Sequence, residues 1–168
     1  MRELIIDLDA IAKNLNTMRA KTNGALALAV IKADAYGHGM LPVAKKLEAA
    51  GADYLGVADI EEAMKLRAEG IDLPILAWLH SPTENFVSAI DAGIELGIAN
   101  IDHLERIAKA SQQLRRVARV HLKVDTGLGR NGHQRRPAKL RQKALEHLFE
   151  FRKLFLLVAF QIPFVHRN

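Results

Sequence analysis

The sequence predicts an α/β protein, with a parallel sheet and helices packed outside it, in the form of a partial (β/α)8 TIM barrel of about five βα units. Five strand-like segments, at about residues 26, 54, 74, 95 and 118, are separated by single helices at near-regular spacing. Those segments are mostly apolar, as in strands covered on both faces. An open doubly wound sheet would share both features, but no Gly-x-Gly-x-x-Gly follows the first strand, which weakens the dinucleotide-binding version. Lys32, Asp125 and Arg130 fall at or just beyond the carboxyl ends of strands, as expected for the active face of a barrel. A whole barrel takes roughly 250 residues. Five strands before residue 125 make about its first half.

Each element has its own signal. Asp7 can cap a helix in which Leu8, Ile11, Leu15 and Met18 recur at helical spacing, ended by Asn23-Gly24. A strand-like run follows at Leu26 to Ile31, then Tyr36 and a Gly37-His38-Gly39 turn. Leu41, Val43, Ala44 and Leu47 line a helix closing at Gly51, and Tyr54 to Val57 reads as a short buried strand. Asp59 starts a helix that stops at Gly70, and Pro74 opens the strand ILAWL. Pro82 to Ala92 reads as helix, Leu96 to Ala99 as strand, Asp102 to Leu114 as helix and Val117 to Val124 as strand, ending in Asp125-Thr126-Gly127.

With 168 residues and 49% apolar content, one domain is the natural expectation. There is no cysteine, so disulfides and thiolate metal sites are excluded, and the composition suits a reducing cytoplasm. The N-terminal MRELIIDLDAI has no signal-peptide pattern, and the longest apolar run, Leu154 to Phe160, is far short of a bilayer span; a soluble cytoplasmic protein without a membrane partner is expected.

The net charge of +5 is unevenly spread. Residues 1–132 hold 16 Lys+Arg against 17 Asp+Glu, whereas residues 133–168 hold 8 against 2. All 11 glycines precede residue 133, and five of the six phenylalanines follow it. The chain is therefore expected to comprise a barrel portion, 1–132, and an atypical basic tail, 133–168. The tail lacks a recognisable nucleic-acid-reading motif, so no nucleic-acid partner is expected.

Two clusters can carry chemistry. In AVIKADAYGHGM, residues 29–40, an apolar strand delivers Lys32 to its end, the layout expected of a lysine that forms an imine with pyridoxal phosphate. Tyr36 offers a hydroxyl, and the Gly37 and Gly39 backbone opens a helix whose N-terminal amides suit a phosphate. The plainer readings are a solvated or salt-bridged lysine and a tight βα connection. In HLKVDTGLGRNG, residues 121–132, Lys123 and Asp125 share a strand face, and glycines 127 and 129 let Arg130 return toward the strand end. A guanidinium there suits a carboxylate, which it binds through two parallel hydrogen bonds. The plainer readings pair Lys123 with Asp125 and leave Arg130 exposed. Histidines 38, 80, 103, 121, 133, 147 and 166 show no metal-ligand spacing, read as surface or capping residues, and no metal is expected. Trp78 reads as strand packing.

Together these clusters resemble the alanine racemases. AVIKADAYGHG looks like that family's pyridoxal-phosphate signature, IDLDAIAKNL its first helix, GADYLGVADIEEAMKLRAEGIDLPIL its next βαβ region, and KVDTGLGRNG its mid-barrel motif. The resemblance covers residues 4–132. It implies a (β/α)8 barrel followed by a β-rich domain, a homodimer, pyridoxal 5'-phosphate as cofactor, and interconversion of L- and D-alanine that supplies D-alanine for cell-wall peptidoglycan. By resemblance, Lys32 holds the cofactor and is the base on one face of the substrate, and Tyr36 binds the cofactor phosphate. Arg130 engages the substrate carboxylate, and a carbamylated Lys123 orients Arg130. The family's opposing base is a tyrosine of the partner subunit's C-terminal domain; here the only tyrosines are Tyr36 and Tyr54.

The tail's composition is explained either by a shifted reading frame or premature end, which is the expectation, or by a natural amphipathic extension. In the extension, Leu140, Ala144, Leu148, Phe151 and Phe155 line a helical face, and a strand follows at Leu156 to Ile162. A half barrel leaves raw strand edges, so poor independent stability and little racemase activity from the chain alone are expected. The alternative function is a non-catalytic pyridoxal-phosphate-binding protein on the same scaffold.

Overall fold

The structure, a computed structural model, describes residues 3–123 and the backbone of residues 150–151. Six parallel strands lie side by side in chain order: β1 (Leu28–Val30), β2 (Tyr54–Val57), β3 (Ile75–Ala77), β4 (Glu95–Ile98), β5 (Arg119–Leu122) and β6 (Glu150–Phe151). Each strand pairs with the next in sequence, so the chain always steps in one direction. A doubly wound sheet reverses at a switch point. This sheet does not, and the winding is that of a partial barrel.

The helices are α1 (Leu8–Arg19), α2 (Lys32–Gly37), α3 (Met40–Ala49), α4 (Ile60–Ala68), α5 (Phe86–Asp91) and α6 (Ile101–Leu114). Side-chain caps fix several starts: Asp7 accepts from the Ala10 amide at 2.9 Å, Asp59 from Glu62 at 2.9 Å and Asn100 from His103 at 2.8 Å. α2 is a single left-handed turn and belongs to the site described below.

Besides the shorter β3, which ends at Ala77 rather than Leu79, the later start of β5 at Arg119 rather than Val117, and the unanticipated α2, three differences from the sequence expectation have a visible cause. β1 starts at Leu28 rather than Leu26, because the Ala27 amide donates to the Asp53 carboxylate at 2.7 Å instead of to a strand neighbour. α5 starts at Phe86 rather than Pro82. Arg106 of α6 donates to the Pro82 carbonyl at 2.6 Å and also to that of Glu84, oxygens that a longer helix would use internally. In the tail, Glu150 and Phe151 pair with Arg119 and Val120 as a parallel strand, so Phe151 does not belong to an amphipathic helix; pairing with the edge of β5 outweighs the local helical pattern. The other tail residues assigned to that helix, and the strand expected at Leu156 to Ile162, lie outside the described residues.

The strands' alternation sorts side chains onto two faces. The outer face, Leu55, Val57, Ile75, Leu96, Ile98 and Val120, forms one core with α3–α6, where Leu47, Leu66, Ile90, Leu104 and Ile107 meet it. All of these are buried, and each such side chain contributes about 1.5–3 kcal/mol relative to exposure. Arg67 stitches this layer from α4, donating Nε to the Ala92 carbonyl and Nη2 to that of Leu73, each at 3.2 Å. No helix among the described residues is long and apolar enough to cross a membrane.

Candidate active site

The inner face is built differently. Register places Leu28 opposite Tyr54, Val30 opposite Gly56, and Gly97 opposite His121. Trp78, just past β3, fills the middle of this face and is 8% exposed. A Cβ on Gly56 would lie 2.6 Å from Leu28 Cδ2 and 2.7 Å from Trp78 Cζ3, and one on Gly97 would lie 2.8 Å from Trp78 Cβ. The two glycines thus admit the indole, as strand glycines do where another group approaches closely.

Toward the amino ends of β4 and β5 the inner face turns polar. Glu95 is 1% exposed; its Oε2 accepts from His121 Nε2 at 2.6 Å and its Oε1 lies 3.7 Å from Arg119 Nη1. Burying a carboxylate is costly unless it is paired, and this one has two basic partners on the neighbouring strand. Arg119, His121 and Lys123 follow one another along the inner row of β5, which leads to the carboxyl end.

At the carboxyl end of β1, Lys32 stands on that inner face and is half-buried. Its Nζ is 5.9 Å from the centroid of the Tyr36 ring, and no carboxylate among the described residues pairs with it. Of the plainer readings, a solvated or a salt-bridged lysine, the second finds no partner among the described residues. After Lys32 the backbone turns left-handed: Ala33, Asp34, Ala35 and Tyr36 have φ of 51°, 52°, 53° and 57°. Such a conformation costs about 1–2 kcal/mol per L-residue, so it persists only where its surroundings over-determine it. The Ala35 amide donates to the Ile31 carbonyl at 2.9 Å and the Gly39 amide to that of Asp34 at 3.0 Å. The Glu62 carboxylate accepts from the Ala33 amide at 2.6 Å and the Ala58 amide at 2.8 Å. Gly37 and Gly39, with φ of 85° and 88°, complete the reversal into α3.

The N-terminus of α3 is not free to take a phosphate as its sequence suggests, because the Met40 amide donates to Asp34 Oδ1 at 2.6 Å. The turn's own carboxylate occupies that place. Tyr36 is half-buried beside Lys32, leaving its hydroxyl as the candidate phosphate ligand.

Lys123 is half-buried at the end of β5, its amide donating to the Ile98 carbonyl at 2.9 Å. The structure therefore sets Lys32 and Lys123 on the same rim, at opposite sides of the five longer strands. Asp125 and Arg130 lie outside the described residues. The described histidines, 38, 80, 103 and 121, are half-buried, and His38 is the C-cap of α2, in line with the capping reading. His38 Nδ1 donates to the Ala35 carbonyl at 2.8 Å, which ties it to the left-handed turn.

A cleft of about 690 Å³ opens over the carboxyl ends of β3 and β4, lined by Asp59, Trp78, Leu79, His80, Asn100 and His103 among others. In its lining, His80 stands edge-on to Phe86 at 5.3 Å and to His103 at 5.5 Å. Burial, with His103 and Arg106 nearby, pushes the His80 imidazole down to about 4, against the opposing pull of the Gly97 backbone and Asp59. His103 is lowered as well, by burial first and then by Arg106.

Sequence reasoning passed over Asp34, Glu62 and Glu95. Glu95 had a signal, as the only charge inside the apolar run GIELGIA, and Glu62 had one in its Asp59-x-x-Glu62 spacing.

A one-way parallel βα sheet with a lysine set on a strained turn at the carboxyl end of its first strand defines a barrel protein with its reactive rim at the usual end. Residues 6–162 match the family model described as alanine racemase, N-terminal domain, a span that runs beyond Gly132. The chain belongs to the alanine racemase family. It is 53% identical over 130 residues to an alanine racemase of Thermobifida fusca, covering 77% of this chain and 35% of that protein. It is 41% identical over 159 residues to one of Mycobacterium ulcerans, covering 92% of this chain and 41% of that protein. The solved alanine racemase of Streptomyces coelicolor superposes with a TM-score of 0.80 at 39% identity, over 84% of this chain and 39% of that one. The chain thus spans little more than a third of the length of these relatives.

Proposed function

We propose that this chain is the cofactor-bearing part of a pyridoxal-phosphate-dependent racemase that interconverts L- and D-alanine and works as a homodimer. The observation that carries the reading is the placement of Lys32. Its amine stands at the carboxyl end of β1 on the inner face, beside Tyr36, without a carboxylate partner among the described residues. A lysine kept from ion pairing at such a rim suits covalent attachment of a carbonyl cofactor.

When bound, pyridoxal phosphate supplies the electron sink that makes an amino-acid Cα–H acidic. The chain's residues supply the rest. Lys32 Nζ holds the cofactor and moves the proton on one face of the substrate. Tyr36 donates its hydroxyl to the cofactor phosphate. Arg130 takes the substrate carboxylate, and Lys123, as its carbamate, orients Arg130. The inward row on β5 supports the Lys123 assignment.

Racemisation also needs a proton-moving group on the opposite face. Of the two tyrosines, Tyr36 is already used and Tyr54 is buried in β2 at 5% exposure. The 168-residue chain alone is therefore expected to take up pyridoxal phosphate and form little D-alanine. Cofactor titration followed by incubation with L-alanine in deuterated water tests this. Saturable uptake with slow D-alanine formation supports the reading; rapid D-alanine formation contradicts the missing opposing base, and no uptake contradicts the cofactor assignment.

A further inference from the structure

We infer that Glu62 is the positioning residue for Lys32: its carboxylate ties the foot of the left-handed turn to the end of β2, and so fixes where the lysine amine stands. The inference rests on the reading of Lys32 as the cofactor lysine.

Asp59 and Glu62 have the spacing of a capping box, in which the glutamate side chain ordinarily returns to the amide of the capping residue. Only the forward half of that box is made here, from the Glu62 amide to Asp59 Oδ1 at 2.9 Å. The return half is diverted. Oε2 takes the Ala58 amide at 2.8 Å, one residue before the cap, and Oε1 crosses to the Ala33 amide at 2.6 Å. Ala33 directly follows Lys32 and is the first of the four left-handed residues.

A carboxylate accepting two backbone amides makes stronger bonds than a neutral acceptor. One of these two bonds goes to the peptide between Lys32 and Ala33, at the foot of the turn. Asp34 secures the far end through the Met40 amide at 2.6 Å, so the turn is held by a carboxylate at each end. A helix cap alone would need only the Asp59 amide; the reach to Ala33 serves the lysine.

The test compares Glu62→Ala and the near-isosteric Glu62→Gln in the 168-residue chain without cofactor, by hydrogen exchange of the amides of residues 33–36. Asn100→Ala, which removes a helix cap distant from the turn, is the control for general loss of stability. The amides of the turn are expected to exchange about tenfold faster or more in Glu62→Ala, the effect of a lost charged hydrogen bond. Glu62→Gln, with one acceptor oxygen in place of two, falls between, and Asn100→Ala leaves the turn as it was. A second measurement, reductive trapping of pyridoxal phosphate on Lys32 at subsaturating cofactor, should need about tenfold more cofactor in Glu62→Ala. Equal protection of the turn in wild type and Glu62→Ala overturns the inference, as does equal loosening by Asn100→Ala. The exchange measurement uses no cofactor, so a wild-type chain that takes up none overturns the functional reading and leaves the result for the clamp standing.

Discussion

The two faces of the sheet are built on different rules. The outer face is a run of aliphatic side chains against helices, where any residue of similar volume packs about as well. The inner face is made of specific pairs: Trp78 against Gly56 and Gly97, Glu95 against His121 and Arg119, and Lys32 beside Tyr36. Volume and periodicity specify the first, and complementarity between named residues specifies the second. Tolerant packing and residue-specific pairing are thus divided between the two faces of the same strands.

The contrast breaks most sharply at Trp78. Trp78→Ala is expected to cost about 3–5 kcal/mol, read as a lowered urea midpoint, since the indole closes the inner face over both glycines. Next comes a single methyl group at Gly97. Gly97→Ala is expected to cost about 1–3 kcal/mol, because its Cβ would meet Trp78 Cβ at 2.8 Å and Trp78 Cα at 3.0 Å. Gly56→Ala should cost a similar amount, since its Cβ would meet the Trp78 ring at 2.7 Å as well as Leu28 Cδ2 at 2.6 Å. On the outer face, removing a methyl group with Ile75→Val should cost only about 0.5–1.5 kcal/mol. Urea curves in which Ile75→Val outweighs Gly97→Ala would contradict the division of roles.

The smallest effect concerns pH. The folded-state value of His80 lies at about 4, below its ordinary 6.5. Between these values the unfolded chain binds the extra proton, so the stabilisation from a neutral buried His80 is complete above 6.5 and is lost as the pH falls toward 4. His103 shifts in the same direction and adds to the slope. His80→Phe, which keeps an aromatic ring against Phe86, should flatten the decline in unfolding midpoint over that interval; an unchanged slope would show that His80 does not contribute.

What could be read from the sequence follows the same division. The bounds of β2, Tyr54–Val57, and the Asp7 and Asp59 caps are legible in the sequence, because apolar period and capping chemistry are local. The left-handed turn is not. Ala33, Asp34, Ala35 and Tyr36 have no local preference for positive φ, and the conformation depends on Glu62, 29 residues from Ala33. Lys32 was legible as a residue, but its support was not. β6 is not legible, because two residues carry no periodicity and its pairing is set by the edge of β5. The late start of α5 depends likewise on Arg106 reaching back from the next helix.

Reductive trapping tests the central claim most directly: the chain is incubated with limiting pyridoxal phosphate, reduced with borohydride and mapped by peptide mass spectrometry. One saturable label is expected, on Lys32, and Lys32→Arg abolishes it. A label spread over exposed lysines such as Lys45 and Lys65, or concentrated on Lys123, would contradict it.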